Sequence, residues 1–160
     1  MKFSKQITIN ASAEKVWDVL GRDFVNIGTW ATSVPHSAVN NEAARVNNSP
    51  VGGRVCNTDF GDVSEEFTAY DDDKKSLSFR GVFDSKMFKN LISTNDVVSV
   101  DENTAEVKIT PNVELTFIGT LMYPMIKMQL NKAIDQILDD LKYYVENGKP
   151  SPAKLVSQQK

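Results

Sequence analysis

The sequence predicts an α+β fold: a seven-stranded antiparallel sheet, two short helices near its start and one long helix at its end. Three observations carry this. From His36 to Phe117 the apolar residues follow a period of two, and turn residues interrupt them at short intervals. Residues 121–147 switch to helical spacing, with Ile126, Leu130, Ala133, Ile134, Ile137, Leu141, Tyr144 and Val145 on one stripe. Before both lies a single alternating segment followed at once by helical spacing.

Taken in order, Phe3, Ile7 and Ile9 alternate with Ser4, Gln6 and Thr8 well enough for strand one. Asn10 or Ser12 caps the next helix, whose Val16, Trp17 and Leu20 share a face and which ends near Gly21. Phe24, Val25, Ile27 and Trp30 predict a second short helix, finished before Pro35 because a proline biases its predecessor away from helix. Six strands follow at 36–44, 54–60, 63–71, 76–83, 91–100 and 104–117, separated by Asn47-Asn48-Ser49-Pro50, Gly61-Asp62, Asp71 to Lys75, Asp84-Ser85 and Asp101 to Asn103. Ala105, Val107 and Ile109 against Glu106, Lys108 and Thr110 give the alternation of a sheet with one wet face. Pro111 cannot donate to a ladder, which predicts a bulge or edge there and an inversion of faces after it. Pro124 suits the first turn of the long helix, and Gly148 with Pro150 stops it. One domain over 1–150 is expected, with a polar, mobile tail at 151–160.

With 160 residues, 41% of them hydrophobic and 24% charged, the chain can bury roughly 70% of its unfolded surface and needs no disulfide or metal to hold a core. A net charge of −3 gives no broad positive field for nucleic acid or anionic lipid. One cysteine, Cys56, and one histidine, His36, make neither an internal disulfide nor a four-ligand zinc site. No metal or other cofactor is expected. The first ten residues lack the apolar run of a signal peptide, and no stretch is apolar enough to span a bilayer, so a cytoplasmic location is expected.

The order of segments resembles a known family. Ile9-Asn10-Ala11-Ser12-Ala13-Glu14-Lys15-Val16-Trp17, Trp30, Gly52-Gly53-Arg54-Val55, Glu66-Phe67 with Asp71 to Asp73, Leu77-Ser78-Phe79 and Leu141 to Lys149 are similar to the START-like, or Bet v 1-like, superfamily. Within it they resemble the bacterial polyketide cyclase/dehydrase and lipid-transport proteins. The likeness runs from residue 2 to about 150. It implies a helix-grip fold, a curved sheet wrapped around the C-terminal helix with a hydrophobic cavity between them. Members bind lipids, sterols, plant hormones or polyketides, and some cyclise or dehydrate what they bind. Fold alone does not select among these.

A strongly bent sheet and one helix enclose more volume than their side chains need, so a cavity is expected. Phe24 and Trp30 of the second helix, Phe60, Phe67 and Phe79 of the strands, and Tyr123, Met125 and Met128 of the long helix are the candidate ligand-binding residues, joined by Met122 and Ile126. Plain core packing is the alternative for each. The methionines would give a surface that refits around different ligands. His36 is the side chain that titrates nearest neutrality, but no carboxylate is placed beside it and a surface role fits better. Arg54 reads as a surface charge after a Gly-Gly turn, and Arg80 faces solvent if Phe79 faces in. Glu65 and Glu66 take opposite faces, so one of them can serve as an inward carboxylate, although an exposed pair is the simpler reading. Thr94, Asn95, Thr110, Asn112 and Glu114 are further polar candidates. Asp71-Asp72-Asp73 reads as a charged hairpin tip without calcium spacing, and Cys56 as a small buried residue.

The expected function is non-catalytic: binding of a small hydrophobic molecule, as carrier or sensor. The alternative is a polyketide cyclase or dehydratase in which His36, Glu66 or Tyr123 moves a proton. A protein-interaction module is a third class, and no pattern marks a homodimer although none forbids it.

Overall fold

A computed structural model describes residues 1–158. Its sheet has seven strands in the order β1-β7-β6-β5-β4-β3-β2, every neighbouring pair antiparallel. They are β1 (Lys5–Ile9), β2 (His36–Val39), β3 (Gly53–Thr58), β4 (Gly61–Asp71), β5 (Ser76–Phe83), β6 (Phe88–Asp101) and β7 (Thr104–Leu115). Six strands form a meander because each turn carries residues that reverse the chain cheaply. At the one between β4 and β5, Lys75 takes a positive φ of 53°. β1 is added beside β7, at the opposite edge from β2.

The inward face is read from alternation, and β7 keeps it from end to end: Ala105, Val107, Ile109, Pro111 and Val113 are all buried. The expected inversion at Pro111 is therefore absent, and Pro111 pairs in register with Ser93. Its carbonyl accepts from Phe3 N at 3.2 Å, so its missing N–H also lies on the side where β1 pairing breaks off. The irregularities fall elsewhere, between Phe67 and Ala69 in β4 and at both ends of β6. Gly52 and Gly53 correct another expectation. Neither has a positive φ; a Cβ on Gly53 would collide with the Glu65 carbonyl, and one on Gly52 with that of Ala43. Close backbone approach, not a turn, requires them.

Helix α1 (Ala13–Trp17) is capped by Ser12, whose Oγ accepts from Lys15 N at 3.3 Å. It runs into a π-helical turn at Asp18–Arg22, where Gly21 packs flat on the Trp17 ring, then a 3-10 turn at Phe24–Asn26 and α2 (Ile27–Trp30). The long helix expected over 121–147 is present, and a short helix not expected from the sequence precedes it. Thr116 caps α3 (Phe117–Leu121), and after Met122 the chain restarts as α4 (Tyr123–Asn147). Pro124 is the reason, since without an N–H it cannot bond the Thr120 carbonyl and continue α3. Gly148 ends α4 at φ 69°.

The segment after residue 150, expected to be mobile, forms α5 (Pro152–Ser157) and docks. Ser151 Oγ accepts from Lys154 N at 3.2 Å and donates to Asp140 Oδ1 at 2.6 Å. Lys154 is wholly buried, and its Nζ donates to the Val34 carbonyl at 2.9 Å. Polarity alone predicted mobility over 151–160; hydrogen bonding docks 151–157, while positions 159 and 160 lie outside the described residues. Asp140, itself 1% exposed, also accepts from Thr32 N at 2.7 Å and Gln136 Nε2 at 3.1 Å. Burial pushes the Lys154 ammonium below its ordinary range, partly opposed by the Asp140 charge. Together Asp140 and Lys154 clamp both ends of the 32–34 loop.

Candidate functional site

Between α4 and the concave sheet lies a cavity of about 130 Å³. Leu130, Ala133, Ile134 and Ile137 roof it from α4, because Ala133 and Ile134 lie three and four positions beyond Leu130 and Ile137 lies four and three beyond them, on one inward stripe. Phe24, Ile27 and Trp30 close one side, and Phe60, Phe79, Phe83, Leu91, Ile109 and Val113 come from the sheet and its turns. Four of the eight candidate ligand-binding residues thus line it: Phe24, Trp30, Phe60 and Phe79. Phe67 is buried behind Phe24, their ring centroids 4.4 Å apart. Tyr123, Met125 and Met128 do not line it; they are 39%, 39% and 53% exposed on the far side of α4. Ile126 takes the inward stripe of that turn, and the methionines fall outside it.

The cavity is apolar except for one group of polar side chains on strands β3, β4 and β6: Arg54, Thr58, Glu65, Ser93 and Asn95. Arg54 and Glu65 are directly opposed across the β3–β4 ladder, and Arg54 Nε donates to Glu65 Oε2 at 2.5 Å. Arg54 Nη1 donates to the Phe24 carbonyl at 2.7 Å, and the guanidinium lies 3.8 Å from the Phe24 ring centroid. Both side chains are over nine-tenths buried. This corrects the reading of Arg54 as a surface charge, and it places Glu65 rather than Glu66 inside. The signal was present: Arg54 shares strand parity with buried Cys56, and Glu65 with Val63 and Phe67. On β6, Ser93 Oγ donates to Asn95 Oδ1 at 3.1 Å. Of the other polar candidates, Thr94 bonds Ser78 and Thr110 bonds Ser4, while Asn112 and Glu114 are exposed.

Among the described residues, three buried side-chain polar atoms lack a hydrogen-bond partner: Trp30 Nε1, Thr32 Oγ1 and Ser33 Oγ. All fall within four consecutive residues, of which Trp30 lines the cavity while Thr32 and Ser33 line a separate hollow with Asp59 and Lys132. Buried polar atoms are nearly always paired, so an unpaired Trp30 Nε1 at the cavity wall stands out.

The remaining candidates lie elsewhere. His36 is exposed at the start of β2, on a shallow concavity of the outer sheet face shared with Val55 and Val82. Arg80 and Glu66 also face solvent. Cys56 is buried, and burial pushes its thiol up to about 12. The Asp71–Asp73 turn is more than a solvated tip: Asp72 accepts from Trp17 Nε1 at 2.7 Å and from Arg22 Nη2 at 2.8 Å. Arg22 and then Trp17 hold that carboxyl well below the usual carboxylate range. Burial and the neighbouring Asp72 raise the Tyr70 phenol to about 12.

A curved sheet gripping one long helix over an apolar cavity with a few convergent polar groups defines a helix-grip fold. The family model for polyketide cyclase / dehydrase and lipid transport matches residues 1–146, and the chain belongs to that family. Among solved structures, a START superfamily protein from Mycobacterium smegmatis is similar with TM-score 0.75 and 16% identity over 92% of this chain and 99% of that one. The Zhui aromatase/cyclase from Streptomyces sp. R1128 gives TM-score 0.78 and 10% identity over 91% and 93%. Norcoclaurine synthase of Thalictrum flavum gives TM-score 0.61 and 13% identity over 92% and 95%. A search of curated proteins finds no match. No helix among the described residues is long and apolar enough to cross a membrane.

Proposed function

We propose that this protein binds a small, largely apolar molecule bearing an acceptor oxygen, as a carrier or sensor. The observation that carries the reading is the buried Arg54–Glu65 pair at the wall of an otherwise apolar cavity. Desolvating two charges costs several kcal/mol per ion, and an apolar pair of similar size is often as stable, so the pair is weak evidence for stability. A binding role explains it better. Arg54 spends Nε and Nη1 on Glu65 and Phe24, which leaves Nη2 as the donor for a ligand oxygen. Trp30 Nε1 supplies a second.

Size narrows the class. The cavity volume of about 130 Å³ is close to the ~150 Å³ of an apolar cavity that takes up benzene. One six-membered ring with an oxygen substituent fits; anything larger requires α4 to lift. The test is titration with benzene and acetophenone, read by native mass spectrometry and tryptophan emission. The ketone is expected to bind about tenfold or more tighter, the gain of a hydrogen bond to a charged donor. Replacing both charges at once, Arg54→Met with Glu65→Leu, should erase that preference while benzene still binds. Ala133→Phe, in a protein that still melts cooperatively, should fill the cavity and abolish both. Absence of saturable binding to wild type would sink the proposal.

A cyclase working in the same cavity is the second reading, supported by the likeness to the Zhui aromatase/cyclase. His36, Glu66 and Tyr123 are all exposed, so Glu65 is the carboxylate to which proton transfer would fall. Turnover of a poly-β-ketone chain that disappears in Glu65→Gln while binding persists would establish this reading over the carrier.

A further inference from the structure

We propose that the tip formed by α3 and the first turns of α4 docks on a membrane surface rich in anionic lipid. Phe117 is 85% exposed, Leu121 78%, Met128 53% and Ile118 52%, with Met125 and Tyr123 each at 39%. Folding does not account for them. The inward stripe of the same stretch is already satisfied, with Ile126 and Leu130 buried against Phe88 and Val113. Phe117 and Leu121, four apart on α3, and Met125 and Met128, three apart on α4, are exposed and lie outside the buried clusters. Single exposed apolar residues need no explanation; seven within twelve positions, counting Met122 at 37%, mark an interaction face.

Charge selects the partner. From Thr116 to Ile134 the chain has no carboxylate and two cations, Lys127 and Lys132. The flanking carboxylates are engaged, Glu114 by Lys89 at 3.2 Å and Asp135 by Lys5 at 3.0 Å. Lys86 lies alongside, since Thr116 Oγ1 donates to its carbonyl at 2.6 Å. A chain of net charge −3 thus presents a locally cationic, apolar tip. Two copies meeting through this face would set Lys127 and Lys132 against one another, with Asp59, beside Lys132, as a carboxylate at the margin. Lipid phosphates receive them, while Phe117 and Leu121 enter the acyl boundary, the division of labour of interfacial amphipathic helices. Leu130 and Val113 join the tip to the cavity wall, so docking brings the acyl region beside the cavity. The inference stands whether or not the proposed ligand is correct.

Co-sedimentation with phosphatidylcholine vesicles, with and without a quarter phosphatidylglycerol, tests it. Wild type should partition onto the anionic vesicles and far less onto pure phosphatidylcholine, and high salt should weaken uptake. Phe117→Asp with Leu121→Asp should reduce partitioning about tenfold or more, as should Lys127→Glu with Lys132→Glu. All four side chains face solvent, so the thermal melt should not move; a variant that melts early is replaced by Phe117→Ser with Leu121→Ser. No uptake of wild type, equal uptake by both vesicles, or uptake indifferent to these substitutions would overturn the proposal. So would a dimer that the aspartate pair dissociates, in a protein that ignores vesicles; that face would then belong to a second copy.

Discussion

The two halves of α4 do different work although one helical stripe runs through both. Toward the C-terminus, Leu138, Leu141 and Val145 are 3%, 0% and 1% exposed and sit in close-packed core. The outer face there is polar and tied down: Lys142 Nζ donates to the Thr8 carbonyl at 2.7 Å, Asn10 N to Glu146 Oε1 at 2.8 Å, and Asp140 holds Ser151 and the 32–34 loop. Toward the N-terminus, the inward residues Leu130, Ala133, Ile134 and Ile137 border a cavity, and the outward ones set exposed Met125 and Met128 among Lys127, Gln129 and Lys132. The difference teaches where this protein concentrates its packing and where it leaves open volume. Packing and polar clamps are concentrated at one end, and empty volume, an unspent guanidinium donor and an apolar surface at the other.

The largest expected effect tests the packed end. Leu141→Ala should cost about 3–5 kcal/mol in urea unfolding, because a fully buried site in rigid surroundings cannot collapse onto the void. Leu130→Ala should cost less, about 2–3 kcal/mol, since one side of that residue already faces a cavity. It should also admit ligands larger than one ring, measured by titration with naphthalene derivatives. Equal costs at the two leucines would dissolve the contrast.

Ser151→Ala should cost about 1–2 kcal/mol, having lost both a helix cap and a bond to a buried carboxylate. Hydrogen exchange at the Thr32 amide, which shares the Asp140 acceptor, should quicken. An unchanged Thr32 would show that α5 does not brace that loop. The effect of pH on the packed end is smaller, because the Asp72 side chain is 42% exposed. Its pKa is lowered in the fold, so its contribution is complete above the unfolded value near ~4 and is lost as pH falls through the folded one. Asp72→Asn should therefore flatten the acid limb of a stability profile and leave the neutral limb parallel. Smallest of all, Met128→Gln on the exposed face should stay within about 0.5 kcal/mol of wild type.

What was legible in the sequence was whatever depends on periodicity and on local stereochemistry. Alternation in β7, the stripe of α4, the Ser12 cap, Pro124 in a first turn and Gly148 at a helix end are each decided by a few neighbouring residues. Phe24, Trp30, Phe60 and Phe79 could be named as candidate lining because large apolar side chains on inward positions have few other places to go. That they meet around one cavity, by contrast, rests on tertiary placement.

What the tertiary structure decided was everything that needs two distant segments to meet. Arg54 reads as a surface charge until β4 sets Glu65 opposite it and Phe24 offers a carbonyl and a ring face. The stretch after residue 150 reads as solvated tail until Asp140 and the Val34 carbonyl give Ser151 and Lys154 partners inside. Met125 and Met128 suggest a lining until the rotation of α4, set by Ile126 and Leu130 against Phe88 and Val113, turns them outward. Local sequence specifies which conformations are cheap; the burial of a charge is settled by its partner, and here each partner lies tens of residues away along the chain or on another strand.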